Sequence, residues 1–519
     1  MTTPPSRRVP TATRRQVLGY GLATLALAAC SAPRAEVTVY DLAVYGGTPA
    51  GIMAAIAAAR QKLKVVLILG ESPLGGMVTN GLGRTDITKP EILGGWTKDF
   101  FTKVGEAYGR SEPVFRFEPS VALATFQSML SEADVPVMSG LLAGASVSDG
   151  AVSSLRLTDG SSIVARTYVD ASYEGDLLFR AGIAYRTGRE SSAEFGESFA
   201  GYGLIRKTVY DSSSPSLFPA DFLTSVPTTA LGAADGKTMS YNYRLCLTTD
   251  LARGTPFPRP DGYDADAYHA ALPYLAQKGT INAGELENSK FDLNNGGSLT
   301  TDLVNGSWLY PLTTTAAQRA QIAVQHTQWM QGLLYHLTND SRVKPEMADD
   351  VRRYALAADE FTDNGNWPKQ LYVRVSRRVK GRMVMTQRDV LDPSDRDDAV
   401  AYGAYQLDSH LVQRFRKPDG SLTREGGITY PKEIPKYAIP LDAIRPATGG
   451  RNVLSPVCLS ASHVASASLR MEPHYMLLGE AAGAAAAVAS QHKTVVSEVT
   501  PDEVRSALKS KDSVLSAPW

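Results

Sequence analysis

The sequence predicts an α/β fold, and three stretches carry that expectation. Asp41 to Met77 reads as a strand, a glycine turn, a helix and a second strand. Residues 135–170 alternate apolar and polar side chains between the Asp-Gly turns at Asp149-Gly150 and Asp159-Gly160, the pattern of a β-meander. Residues 475–490 read as a helix on which Gly479, Ala482, Gly483 and Ala486 recur at i, i+3, i+4 and i+7.

The first 29 residues stand apart from that fold. Arg7, Arg8, Arg14 and Arg15 precede an apolar run from Val17 to Ala29 that is too short to span a bilayer but suits a signal segment. Thr13-Arg14-Arg15-Gln16-Val17-Leu18 resembles a twin-arginine export signal, and Leu27-Ala28-Ala29-Cys30 resembles a lipoprotein cleavage box with Cys30 as the lipidated residue. The expectation is an exported protein, anchored through Cys30 to the cell envelope, with residues 30–36 as a tether. Across 519 residues, Lys+Arg and Asp+Glu both number 53, so charge suggests no nucleic-acid partner. Removing residues 1–29 leaves 49 basic and 53 acidic side chains. Cys246 and Cys458 both sit in apolar runs and read as buried thiols.

Leu42 to Tyr45 suits a buried strand, Ile52 to Arg60 a helix, and Val65 to Leu69 the next strand. Between them, Gly46-Gly47-Thr48-Pro49-Ala50-Gly51 matches the dinucleotide fingerprint G-x-G-x-x-G in the βαβ context that gives it meaning. Gly46 allows the tight turn, Gly51 allows close helix–strand packing, and the helix N-terminus can hold a pyrophosphate. The middle glycine is replaced by Thr48, and Leu69 stands where an acidic ribose contact is usual, with Glu71 two residues on as its candidate replacement. Gly75, Gly76 and Met77 supply the Gly-Gly loop that often follows in flavoproteins with two dinucleotide-binding domains. Phe117 to Met129 reads as a helix entered through Pro119, and Thr167 to Asp170 as a strand returning to the Rossmann-like unit. From about residue 200 to 435 the chain turns irregular and richer in Asn, Asp, Tyr and Pro, with a helix near 314–337. Asn452-Val453-Leu454 then opens a closing strand ahead of the tail helix.

Several segments in order resemble the bacterial FAD-dependent oxidoreductases, whose members often carry export signals and are sometimes labelled xanthan lyases. They include Tyr45 to Gly51 with Leu74 to Met77, Gly83 to Asp86, Phe117 to Ala122, Val169 to Leu177, Gly188 to Glu190 and Tyr243 to Cys246. Leu371 to Arg374, Leu407 to His410 and Cys458 to Pro473 continue the match. Pro73 and Arg84 depart from the family pattern, as does Leu69. The resemblance implies a Rossmann-like FAD-binding domain of the two-dinucleotide-binding-domain type, built from residues 37–200 and 436–495, with an α+β substrate domain inserted over 201–435 and a tail at 496–519. It implies non-covalent FAD held by Gly46, Gly47, Thr48, Ala50, Gly51, Glu71, Gly75, Gly76, Met77, Asp170, Gly479 and Gly483, with the tail helix pointing its N-terminus at the flavin.

No second fingerprint for NAD(P)H occurs, so the expected reductant is a small organic substrate, with oxygen, a quinone or a partner protein as acceptor. Flavin dehydrogenation needs a base for the substrate O–H or N–H proton. His463, just before the tail helix, is one candidate, and His410, which Asp408 could orient, is the second. Arg374, Arg382 and Arg470 could clamp a carboxylate, with Arg470 nearest the tail helix. Ser409-His410 and Ser462-His463 raise a hydrolase as an alternative, but adjacent residues make poor nucleophile–base pairs and no G-x-S-x-G elbow occurs. No metal motif is present. A surface lipoprotein that keeps FAD without catalysis is the third reading, and substrate and oligomeric state stay open.

Overall fold

The structure is a computed structural model that describes residues 38–203, 205–206, 223–275, 281–295, 300–304, 306–394, 396–418 and 422–515. Residues 1–37, with the expected signal segment, Cys30 and tether, lie outside the described residues.

The chain opens with β1 (Val39–Tyr45), α1 (Pro49–Arg60) and β2 (Val65–Ile68). The helix begins three residues earlier than the apolar pattern alone suggests, because Pro49 fits its first turn and Thr48 caps it. Next come α2 (Gly95–Ala107), α3 (Pro119–Glu132), β3 (Val137–Met138), β4 (Leu142–Ser148), β5 (Ala151–Leu157) and β6 (Ser162–Asp170). The sheet order is β3-β2-β1-β6-β5-β4. β6 is long enough to serve two neighbourhoods. Its first residues pair antiparallel with β5, and its length from Val164 to Asp170 pairs parallel with β1. The first piece of the expected meander, β3, instead pairs parallel with β2, at the far edge of the sheet.

The inserted stretch builds its own antiparallel sheet. Its strands are β7 (Leu245–Thr248), β8 (Gly254–Thr255), β9 (Asn282–Glu285), β10 (Lys290–Asn294) and β11 (Ala355–Ala357), in the order β8-β11-β7-β10-β9. Two helices accompany it, α4 (Ala265–Leu275) and α5 (Ala316–Asn339), the latter started by a capping box of Thr315 and Gln318. Arg378 and Val379 from this stretch pair with Arg186 and Tyr185, and Met385 bridges Ala461. The insertion therefore runs back along the nucleotide-binding unit before the chain closes.

Closure comes with β12 (Val453–Leu454), which adds to the main sheet parallel to β6 at Tyr168 and Val169. A short helix, α6 (His463–Leu469), and the long tail helix α7 (Glu472–His492) follow. The segment before the tail helix is largely helical, because the Ser462 side chain accepts from the Ala465 amide and caps α6. α7 is buried from Glu472 to Ala489. Its small face packs on α1: a Cβ on Gly479 would stand 2.1 Å from the Ala50 carbonyl oxygen, and one on Gly483 2.4 Å from that of Ala54. The two glycines therefore serve backbone-to-backbone helix packing, which corrects their assignment as cofactor contacts. Cys246 and Cys458 are buried free thiols, as expected.

Candidate functional site

The turn after β1 is a built anion site. Gly46 has φ +116°, and a Cβ there would meet the Ala171 carbonyl carbon at 2.4 Å. A Cβ on Gly51 would stand 2.1 Å from the Gly46 oxygen, so strand and helix touch through backbone alone. Thr48 fills its unusual position with two bonds. Its hydroxyl donates to Ala171 O at 2.8 Å and accepts from the Gly51 amide at 3.2 Å. The buried amides of Thr48 and Ala50 find no acceptor among the described residues. Two unpaired donors at the positive end of a helix are what a pyrophosphate requires.

The Gly-Gly loop folds onto this turn, with the Gly75 amide donating to Gly47 O at 2.7 Å. Met77 turns its side chain into the hydrophobic core, and its amide donates to the Tyr173 hydroxyl at 3.0 Å. That hydroxyl donates in turn to Glu472 Oε1 at 2.6 Å, tying the loop to the first turn of α7. The other Glu472 oxygen has no partner. Burial pushes the Glu472 carboxyl up to about 8, the Tyr173 bond offsetting only part of the shift.

Two expected cofactor contacts are taken by the protein itself. Glu71 gives both carboxylate oxygens to Arg319 on α5, whose guanidinium also binds Asp176 at 2.8 Å. It ties the inserted region to the glycine loops instead of standing open to a ribose. Asp170 is fully buried and accepts from the Ser172 amide and hydroxyl and from the Leu178 amide, so it shapes the chain after β6 instead of reaching a ligand. Burial raises it to about 6.

Between α6, the first turn of the tail helix and the segment after Tyr372 lies a small cavity. Tyr173, Cys458, Ser466, Arg470 and Tyr475 contribute to its wall, together with the segment from Val373 to Arg378. Arg470 donates to the Tyr372 hydroxyl at 3.0 Å and to Asp408 O at 2.8 Å. Arg374 binds Asn242 and Asp302 and stacks over the Tyr372 ring at 4.7 Å. Arg382 lies away from this wall, 3.9 Å from Asp442 near the surface.

The histidines take unexpected places. His410 Nδ1 lies 2.7 Å from Asp302 of the insertion, not beside Asp408. Residues two apart on an extended chain stand about 6.6 Å apart, and Asp408 instead approaches Arg470 at 3.8 Å. Burial and Arg374 lower the His410 pKa against the pull of Asp302. Burial opposes the Asp302 charge as well, yet Arg374 and His410 outweigh it and hold that carboxyl at about 2. His463 opens α6 two turns before Arg470 and is absent from the cavity wall. Its amide donates to Glu190 and its Nε2 is unpaired. Burial and the charges of Arg378, Arg189 and Arg470 hold its pKa well below the usual range.

The carboxylate that stands free is Asp86. It is half-buried and accepts no hydrogen bond or ion pair among the described residues. Its charge reaches Arg244, Tyr372, Tyr405 and Arg470. Sequence reasoning placed Asp86 in a family-like segment without giving it a role. Its isolation shows only once the partners of every nearby acid are known.

A largely parallel sheet with a glycine turn, unpaired amides at a helix N-terminus and a closing tail helix defines a dinucleotide-binding protein of the Rossmann-like class. The family model described as FAD dependent oxidoreductase matches residues 41–508, and the chain belongs to that family. FAD is its cofactor, and the open donors of Thr48 and Ala50 beside the glycine turn fit its pyrophosphate. No curated protein matches the chain. Among solved structures, the flavin-dependent brominase Bmp2 is 18% identical over 30% of this chain and 42% of that one, with a TM-score of 0.22. Thermovibrio ammonificans THI4 is 18% identical over 29% of this chain and 66% of that one, with a TM-score of 0.23. Lactococcus lactis thioredoxin reductase is 19% identical over 26% and 35%, with a TM-score of 0.18. The chain thus spans less than two thirds of each of these structures.

Two outcomes test the site. Gly51→Val forces the helix off the strand and should yield a folded but colourless protein, read from the flavin absorbance of the purified chain. The second concerns Glu472. Its folded pKa of about 8 lies above the usual value of 4.5, so the native state binds the extra proton between those values. Stability from this group is full below about pH 4.5 and falls as pH rises towards about 8. Glu472→Gln should therefore flatten the decline in melting temperature across that window, measured by thermal unfolding at several pH values.

Proposed function

We propose that this FAD-dependent oxidoreductase is a dehydrogenase or oxidase acting on a small organic substrate, with Asp86 as proton acceptor. The observation that supports this most is the unpaired Asp86 carboxylate, whose charge reaches Arg470, Tyr372 and Tyr405. Bound FAD supplies a hydride acceptor. The chain's own residues supply the rest. Asp86 takes the O–H or N–H proton of the substrate as its C–H bond breaks. Arg470, braced by Tyr372 and Asp408, holds a polar group of the substrate. His410 and Asp302 keep Arg374 in place beneath the Tyr372 ring. Electrons then leave to oxygen, a quinone or a partner protein.

The deciding experiment is anaerobic reduction of the purified flavoprotein with a panel of alcohols, amines and sugars, an artificial dye serving as acceptor. Asp86→Asn should keep its yellow colour and melting temperature while flavin reduction by the active donor slows ~10²–10⁴-fold. Near-normal reduction by that variant would remove Asp86 from the chemistry, and a flavin that no donor bleaches would favour a non-catalytic role.

The place of action belongs to the same proposal. The arginine pair at Arg14-Arg15 and the box ending at Cys30 support export and a lipid anchor in the cell envelope. A twin-arginine route suits a flavoprotein, since it carries folded chains with their cofactor inserted. Cys30→Ala should leave an unprocessed precursor or release the protein from membranes on fractionation. Finding the unaltered protein uncleaved in the soluble cytoplasm would contradict this.

A further inference from the structure

The insertion holds a cluster that the flavin chemistry does not use. His336 sits on the last turn of α5, Asp340 caps that helix four residues on, and His269 faces them from α4. One nitrogen of each imidazole and one Asp340 oxygen all lie within 4.8 Å of one another. His269 Nδ1 and His336 Nε2 are both buried without a hydrogen-bond partner. Two unpaired buried imidazole nitrogens are costly unless something binds them, and Nδ1 of His336 lies 3.5 Å from Asp340 Oδ2. The other ring nitrogen of His336 lies 2.8 Å from the Tyr263 hydroxyl, which fixes the ring.

We infer that His269, His336 and Asp340 form a binding site for a divalent transition ion of the zinc type, separate from the FAD site. The donor set of two imidazoles and one carboxylate suits zinc and its neighbours, not magnesium or calcium, which prefer all-oxygen shells. With Nε2 of His336 on the ion, its ring proton sits on Nδ1 and donates to Tyr263, the outer-shell arrangement that zinc-binding histidines commonly have. Bonds of about 2.1 Å place tetrahedral ligands about 3.4 Å apart, so the three groups close by no more than about 1.4 Å. Three protein ligands leave the fourth position to water.

The charges nearby permit this. Asp340 accepts from the Arg342 amide and Nε through Oδ1 and from Nη2 at 2.8 Å through Oδ2, so Oδ2 keeps a second lone pair. Arg342 is itself paired with Asp266 at 2.6 Å, so the cluster carries net negative charge before an ion enters. The C-terminal end of α5 adds the negative pole of the helix. Arg319, at the other end of the same helix, touches the glycine loops, so the site lies about 25 Å along α5 from them. Its role is to staple α4 to α5.

The test uses the full-length flavoprotein without a polyhistidine tag, freed of metal with a chelator and dialysed against zinc. The unaltered protein should take up one ion per chain and gain melting temperature, with no gain from magnesium. His269→Ala should abolish that uptake while FAD content is unchanged. Tyr263→Phe should weaken binding by about 10–100-fold, as outer-shell changes do. Because His336 is fully buried and its loss could unfold the insertion, Asp340→Asn serves as the second ligand variant and should also lose the ion. No stoichiometric uptake by the unaltered protein, or full uptake by both His269→Ala and Asp340→Asn, would overturn the assignment.

Discussion

The close approach of α1 and α7 is the contact on which the rest of the structure depends. Gly479 and Gly483 let the backbone of the tail helix reach the carbonyls of Ala50 and Ala54. Each glycine weakens the helix by roughly 1 kcal/mol relative to alanine. The packing of a fully buried helix against the helix of the fingerprint offsets that loss. The contact joins the two ends of the chain. It fixes the first turn of α7 near Tyr173 and the Gly-Gly loop, and it leaves a cavity between that turn and α6. Without it, the glycine turn would be a phosphate site with no flavin seat beside it.

The second theme is buried charge. Arg374, Arg377, Arg378 and Arg470 surround the cavity almost wholly out of water. Guanidinium groups are tolerated there because backbone carbonyls and carboxylates from several segments accept from them. Arg377 donates to Glu174 O, and Arg378 to Ala461 O and Glu190. This positive field adds to burial in lowering the pKa of His410 and His463, and it suits an anionic or polar substrate group. It also explains the value of a carboxylate left open at Asp86.

One guanidinium adds to the contacts that tie the insertion to the nucleotide-binding unit. Arg319 is 5% exposed and binds Glu71 on one side and Asp176 on the other. Breaking one partner of such a buried pair costs about 3–5 kcal/mol, because the remaining charge is left without compensation. Glu71 therefore reads as a docking residue that happens to follow the fingerprint at the position where a ribose contact is usual.

Local pattern determined the βαβ unit, the glycine turn and the tail helix, and the family resemblance added the cofactor. Those features rest on short-range rules, namely strand runs, helix periodicity and turn glycines, and these are written in consecutive residues. Tertiary structure decided who pairs with whom. Asp302, Arg319 and Glu472 meet their partners across at least 100 residues, and nothing in the neighbouring sequence predicts them. His410 looked paired with Asp408 because the two are near in sequence, while the fold brings Asp302 to the ring. Gly479 and Gly483 looked like cofactor contacts because a small face suits either a ligand or a helix, and only the position of α1 chose between them. Asp86 stands out only against the partners of the acids around it, which the tertiary structure supplies.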